Sequence, residues 1–177
     1  MVRTRRLGFL ADTHGLFEGD LPDMDYLFLL GDHTRGDVAR ILEVFPKERI
    51  FYVPGNHDTD IERFGLNNIH GRLVAVNGVR VFGMGYSHRY KKGTGQFTQK
   101  EAIDFLRHAP KCDILATHDT WFNGGDPAHC GLKAIRRYAI LHRLPLHIHG
   151  HLHTKYEKVH LNGTREISLG MNKIMVY

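Results

Sequence analysis

The sequence predicts an α/β fold in which two β layers pack on each other under a cover of helices. Three observations carry that reading. Short aliphatic runs bracket a helical stripe in the first third of the chain. Each run empties into a polar turn. The second half carries two Asn-Gly hairpins in place of the strand–helix repeats of a doubly wound nucleotide fold.

Leu7-Gly8-Phe9-Leu10-Ala11 reads as a buried first strand running into Asp12-Thr13-His14-Gly15. Tyr26 to Leu30 is a second strand and leaves through Gly31-Asp32-His33. From Gly36 to Phe45, residues Val38, Ile41, Leu42 and Phe45 fall on one face of a helix that Pro46 ends. Arg49 to Val53 is a third strand, followed by Pro54-Gly55-Asn56-His57-Asp58. Strand, helix and strand joined by short links imply a right-handed parallel crossover. The three polar turns then share the carboxyl edge of one sheet, where open α/β sheets carry their ligands.

Arg72 to Val76 and Val79 to Gly83 flank Asn77-Gly78, a strong hairpin signal. Tyr86 to Phe97 shows no apolar period, holds Arg89, Lys91 and Lys92, and reads as a mobile basic loop able to close over an anion. Thr98-Gln99-Lys100-Glu101 is a capping box, so a helix runs from there to about His108. Cys112 to Ala116 is the next buried strand and exits into Thr117-His118-Asp119-Thr120-Trp121. Phe122 to His129, rich in Gly and Asp, is a loop, and Leu132, Ile135 and Ala139 mark one face of a further helix. Leu144 to Ile148 reads as a buried strand that bends at Gly150, just before His151-Leu152-His153. Lys158 to Leu161 and Arg165 to Leu169 flank Asn162-Gly163 as a second hairpin, and Ile174 to Tyr177 supplies a closing strand.

The 177 residues suit one domain spanning 1–177. No run approaches the roughly 18–20 apolar residues of a membrane span. Leu7 to Ala11 is too short for a signal-peptide core and Asp12 interrupts it. The two cysteines, Cys112 and Cys130, lie outside any Cys-x-x-Cys pair. These features predict a cytoplasmic protein with free thiols and argue against a sulfur-based zinc site. A net charge of +5 and a pI near 9.3 favour anionic partners such as phosphate esters, nucleotides or nucleic acid. The 14 histidines, gathered near strand ends, point to metal or phosphate chemistry.

The strand-exit residues are Asp12, His14, Asp32, Asn56, His57, His118, His151 and His153. Their order (Asp-x-His, Gly-Asp, Gly-Asn-His-Asp, a lone His after a strand, then Gly-His-x-His) resembles the calcineurin-like metallophosphoesterase superfamily over residues 12 to 153. The stretch from His118 to His153, with Gly125-Asp126, His129-Cys130-Gly131 and Pro145, further resembles its small metallophosphodiesterases. The resemblance implies a four-layer αββα sandwich of two mixed β-sheets and a centre of two divalent transition-metal ions. Asp12, His14, Asp32 and His153 would hold one ion, and Asp32, Asn56, His118 and His151 the other, with Asp32 bridging. Mixed nitrogen and oxygen donors suit Mn, Fe, Zn or Ni better than Ca or Mg, with Mn favoured here. The implied reaction is attack of a metal-bound hydroxide on a phosphate ester, with His57 protonating the leaving oxygen.

One position departs from the pattern. Many relatives carry Asp, Asn or another neutral polar group three residues after the Gly-Asp aspartate, where it orients the catalytic His; here that residue is Arg35. A guanidinium cannot accept a hydrogen bond from His57. Asp58 or Asp37 then takes over, or Arg35 points outward, or Arg35 binds substrate phosphate. His33, His147 and His149 have no slot in the pattern and are expected as supporting or surface residues. The expected activity is a phosphodiesterase for small phosphodiesters or cyclic nucleotides, working at an open site because so short a chain carries no cap domain. A nuclease or phosphomonoesterase is the enzymatic alternative, and a metal-binding scaffold without activity is the alternative from another class.

Overall fold

The computed structural model describes residues 6–58 and 60–177. The basic start of the chain, up to Arg5, lies outside the described residues. Two mixed sheets form the centre. The first has the order β13-β1-β2-β3-β4, with β1 (Leu7–Ala11), β2 (Tyr26–Leu29), β3 (Ile50–Tyr52) and β4 (Asn67–Asn68) parallel and β13 (Lys173–Val176) antiparallel to β1. The second has the order β11-β12-β10-β9-β6-β5. Its strands β6 (Val79–Met84), β9 (Ile114–Thr117), β10 (Leu146–His149) and β12 (Arg165–Ser168) run parallel. Strands β5 (Leu73–Val76) and β11 (Tyr156–Val159) pair antiparallel at its edges.

Alternation of side chains along each strand produces the layers. Leu7, Phe9, Ala11, Phe28 and Leu30 face the second sheet, meeting Ile114, Ala116, Leu146, Ile148 and Ile167 in one buried core. Phe28 stacks between Phe9 and Phe51, with ring centroids 5.0 and 5.2 Å away. On the outer face of the first sheet, Leu10, Leu27 and Leu29 pack on Val38 and Ile41 of α1 (Arg35–Val44). On the outer face of the second, Phe82 and Leu115 pack on Ala102 and Leu106 of α2 (Gln99–Leu106) and on Ile135 and Tyr138 of α3 (Lys133–His142). The four-layer αββα order expected above is therefore present. Among the described residues, no helix is long and apolar enough to cross a membrane.

Local chemistry explains the element ends. Thr98 caps α2 and pairs reciprocally with Glu101, as its sequence predicts. Thr34 and Asp37 do the same for α1. Asn77 and Gly78 both take positive φ, 53° and 83°, as a two-residue hairpin turn requires. The second hairpin differs from expectation: its turn spans His160 to Thr164, whose main chains bond at 2.9 Å, and there Gly163 alone is left-handed. The segment read as an irregular basic loop holds a short parallel pair, β7 (Ser87–His88) and β8 (Gln96–Phe97). The Gln96 side chain accepts the N–H groups of Tyr90 and Lys91 and shapes the loop between those strands. Phe28 is fully buried at the centre of the inter-sheet core. Phe28→Ala should therefore lower stability by about 3–5 kcal/mol, read from the midpoint of urea unfolding.

Candidate metal centre

The parallel strands of both sheets end at one edge, and the turns that follow them meet there. Backbone bonds tie the turns together: Asp12 N–H donates to Gly31 O (3.0 Å), His14 N–H to Asp32 O (3.2 Å) and Gly150 N–H to His118 O (3.1 Å). Five of the predicted ligands have left-handed backbones: Asp12 (φ 51°), His14 (47°), Asp32 (58°), His151 (67°) and His153 (55°). Such conformations are rare for residues with a Cβ and cluster at functional sites. Gly150 is required here, because a Cβ at that position would lie 2.5 Å from Asp12 Oδ2.

Side-chain carboxylates close these turns. Asp12 Oδ2 accepts the His151 N–H (2.8 Å), and Asp32 Oδ1 accepts the His57 N–H (2.7 Å). Asp58 accepts the N–H groups of His33 and Gly55. Asp37 accepts Thr13 Oγ1–H and the N–H groups of Gly15, Phe17 and Thr34, anchoring the first turn to the start of α1.

The remaining donor atoms face one another. His14 Nε2 lies 3.0 Å from His153 Nε2 and 3.8 Å from Asp32 Oδ2. His153 Nε2 lies 3.7 Å from Asp12 Oδ1, and His118 Nε2 lies 3.6 Å from Asp32 Oδ1 and 2.9 Å from Asn56 Oδ1. The two oxygens of Asp32 thus look toward different histidines. Asp12, His14 and His153 form one group able to hold an ion, and Asp12, Asp32 and His118 form another. His151 donates from Nε2 to Ala128 O (2.9 Å), and its ring stands 5.0 Å from that of His118.

These residues fit a cation pair. Asp12 Oδ1 is buried without a hydrogen-bond partner. Burial, and then the neighbouring Asp32, push the Asp12 carboxyl well above the usual range, the response of a carboxylate crowded against another. Burial works against ionised Asp32 as well, but His118 and the His57 N–H bring it below the ordinary value. His118 gives its Nδ1–H to Leu30 O (2.8 Å), and burial holds the imidazole neutral. Its Nε2 lone pair therefore points at the oxygens of Asn56 and Asp32, three acceptors around one space. A divalent cation resolves that clash, and the mixed donor set is one that transition metals favour.

Other predicted residues lie elsewhere. His57 is exposed, its ring 6.3 Å from that of His14. Arg35 is exposed and meets Asp60 at 3.9 Å. Neither Asp58 nor Asp37 takes over the role of orienting His57, because both spend their oxygens on the turns. His33, His147 and His149 are buried, which removes the surface alternative for all three. His33 Nδ1 bonds Thr13 Oγ1 at 2.8 Å.

Two further residues reach the site without being expected there. Tyr90 accepts a bond from Asn56 Nδ2 (3.3 Å), which brings the basic segment beside the site. Buried Asp119 accepts the His88 and Thr120 N–H groups and lies 4.0 Å from His151 Nε2. Its position directly after His118 is the signal the sequence offers for it.

The family described as calcineurin-like phosphoesterase matches residues 5–155. The chain belongs to that family. Its members hydrolyse phosphoric esters and typically use a dinuclear metal centre, in keeping with the donor groups above. The fold of this phosphoesterase is shared with the phosphopantetheinyl hydrolase of Mycobacterium tuberculosis at TM-score 0.62 and 14% identity, over 94% of this chain and 90% of that one. It is shared with TT1561 of Thermus thermophilus at TM-score 0.60 and 17% identity, over 94% and 89%. A putative 5'-nucleotidase of Staphylococcus aureus matches at TM-score 0.57 and 14% identity, over 97% of this chain and 50% of that one. No curated protein matches the phosphoesterase sequence.

Asp37 offers a test of how the site is held. Burial opposes its charge, but the bonds from Thr34, Thr13 and Phe17 bring its pKa down to about 2. The value in the unfolded chain is near 4, so the stabilisation is complete above about pH 4 and is lost as pH falls through 2. Asp37→Asn should cost about 2–3 kcal/mol at pH 7. The gap from wild type should close toward pH 2 in chemical denaturation.

Proposed function

We propose that the chain is a single-domain, dinuclear-metal-dependent phosphodiesterase of the cytoplasm, acting on small phosphodiesters or cyclic nucleotides. The observation that carries this reading is the meeting of lone pairs and carboxylate oxygens from five strand ends around one space. Asp12, His14, Asp32 and His153 would hold one cation and Asp32, Asn56, His118 and His151 the other, with manganese favoured. When bound, such a pair lowers the pKa of water, neutralises phosphoryl oxygens and orients the ester.

The residues of the chain supply the rest. The two Asp32 oxygens, directed at His14 and His118, suit a shared ligand. The exposed His57 ring, on a residue whose backbone N–H is held by Asp32, would protonate the leaving oxygen. Arg35, exposed at the first turn of α1, would meet the phosphate of an incoming ester. The half-exposed His14 and exposed His153 leave the donor cluster open to a diester from the solvent side. The free, buried Cys112 and Cys130 agree with a reducing compartment. A nuclease is the second reading, favoured by Arg89, Lys91 and Lys92 on the segment whose Tyr90 touches Asn56. A steep fall of oligonucleotide binding with salt would select it over the small-diester reading.

Elemental analysis of purified, manganese-reconstituted protein should give about two ions per chain at the strand-end centre. Asp32→Asn should abolish hydrolysis of a bis-aryl phosphate with an unchanged circular dichroism spectrum, and retained activity would remove its bridging role. His57→Ala should slow esters with poor leaving groups by about 10²–10⁴-fold and good ones far less, and equal losses would exclude the acid role.

A further inference from the structure

A second set of donors lies on the opposite face of β10. His147 and His149 alternate with Leu146 and Ile148, so they point away from the inter-sheet core. The parallel register pairs His147 with Glu166 and puts that carboxylate on the same face. All three side chains are buried, at 0%, 0% and 3% exposure. His149 Nε2 lies 3.3 Å from Glu166 Oε1 and His147 Nδ1 lies 4.0 Å from the same oxygen. One atom from each of the three residues falls within 4.8 Å of the other two.

Hydrogen bonding fixes the protons. Thr117 Oγ1–H donates to Asp119 O, so the hydroxyl must accept from His147 Nε2–H, 2.8 Å away. His147 Nδ1 therefore carries a lone pair, and it is one of three buried side-chain atoms among the described residues with no hydrogen-bond partner. His149 donates Nδ1–H to Gly150 O at 2.8 Å, which leaves a lone pair on Nε2. Both lone pairs face Glu166 Oε1, which also accepts the Thr120 and Tyr156 hydroxyls at 3.2 and 3.1 Å.

We propose that His147, His149 and Glu166 form a further metal site, separate from the strand-end centre, that takes a divalent ion of the zinc class. Two imidazoles and one carboxylate are a zinc donor set, and ligands about 2.0–2.1 Å from a tetrahedral ion stand roughly 3.3–3.4 Å apart. The His149–Glu166 separation of 3.3 Å meets that value, and the His147–Glu166 separation of 4.0 Å is about 0.6–0.7 Å wider. Outer partners orient the ligands as metal sites require. Thr117 and Gly150 O hold the imidazoles, and His160 Nε2 bonds Glu166 Oε2 at 2.6 Å. His160 is itself stacked on Trp121, with centroids 3.8 Å apart and planes 5° apart. The Tyr156 hydroxyl lies 3.2 Å from His149 Nε2 and 3.1 Å from Glu166 Oε1, in reach of a fourth position. A cleft of about 810 Å³, lined by Trp121, Arg136, Tyr156, Lys158, His160 and Glu166 among others, reaches the Glu166 side of this cluster from solvent.

The test uses the full chain, stripped of metal and labelled with ¹⁵N-histidine. One equivalent of zinc at this site should shift His147 Nδ1 and His149 Nε2 together. After saturation with zinc and removal of excess, Glu166→Gln should hold one equivalent less than wild type, whereas Asp32→Asn, altered at the other centre, should keep these two shifts. Equal zinc content in wild type and Glu166→Gln, or unmoved ring nitrogens, would overturn the site and leave a hydrogen-bonded polar cluster. If Glu166→Gln fails to fold, the wild-type titration decides alone.

Discussion

The structure at the strand ends depends on carboxylates that accept backbone N–H groups from turns other than their own. Asp12 grips the turn after β10, Asp32 and Asp58 join the turns after β2 and β3, and Asp37 grips the turn after β1. Bonds to a charged acceptor, as at Asp32 and Asp37, are worth about 1.5–3 kcal/mol each, more than neutral ones. They also decide where the second oxygen points. With Oδ2 spent on His151, Asp12 must present Oδ1 to the space it shares with His14, His153 and Asp32. The same side chain closes a turn and supplies a donor, so neither function can be changed alone.

That economy explains why left-handed backbones are tolerated there. Each such residue costs about 1–2 kcal/mol against an ordinary conformation. A turn held by a single neutral hydrogen bond would relax. Held from both sides by carboxyl groups, it keeps its donors aimed inward, and His118, fixed by the carbonyl of Leu30, is aimed in the same way.

The sequence discloses those parts of the molecule whose signal is local. Aliphatic runs ending in Asp, Asn or His mark the strands and the residues at their exits, and Thr98 with Glu101 marks a helix start. Thr34 with Asp37 closes the same reciprocal cap, but a shorter Asp stands where the capping pattern has Glu or Gln, so the helix start is harder to read. Features that depend on register are not legible. Nothing in the order of residues says that His147 lies beside Glu166, since that follows from the pairing of β10 with β12. The proton positions on His118 and His147 follow from Leu30 O and Thr117, both distant in the chain, whereas that on His149 follows from its neighbour Gly150 O. The basic segment lacks an apolar period, so the β7–β8 pair, set by backbone and the Gln96 amide, leaves no trace in the pattern.

The place of β1 between β2 and β13 bears on how the molecule is made. Residues Gly8 to Ala11 meet Lys173 to Val176, so β1 gains its second neighbour only after the other strands of both sheets have been synthesised. Contacts of such long sequence separation slow folding. Until then one border of β1 is unpaired, open to wrong strand partners and to other nascent chains.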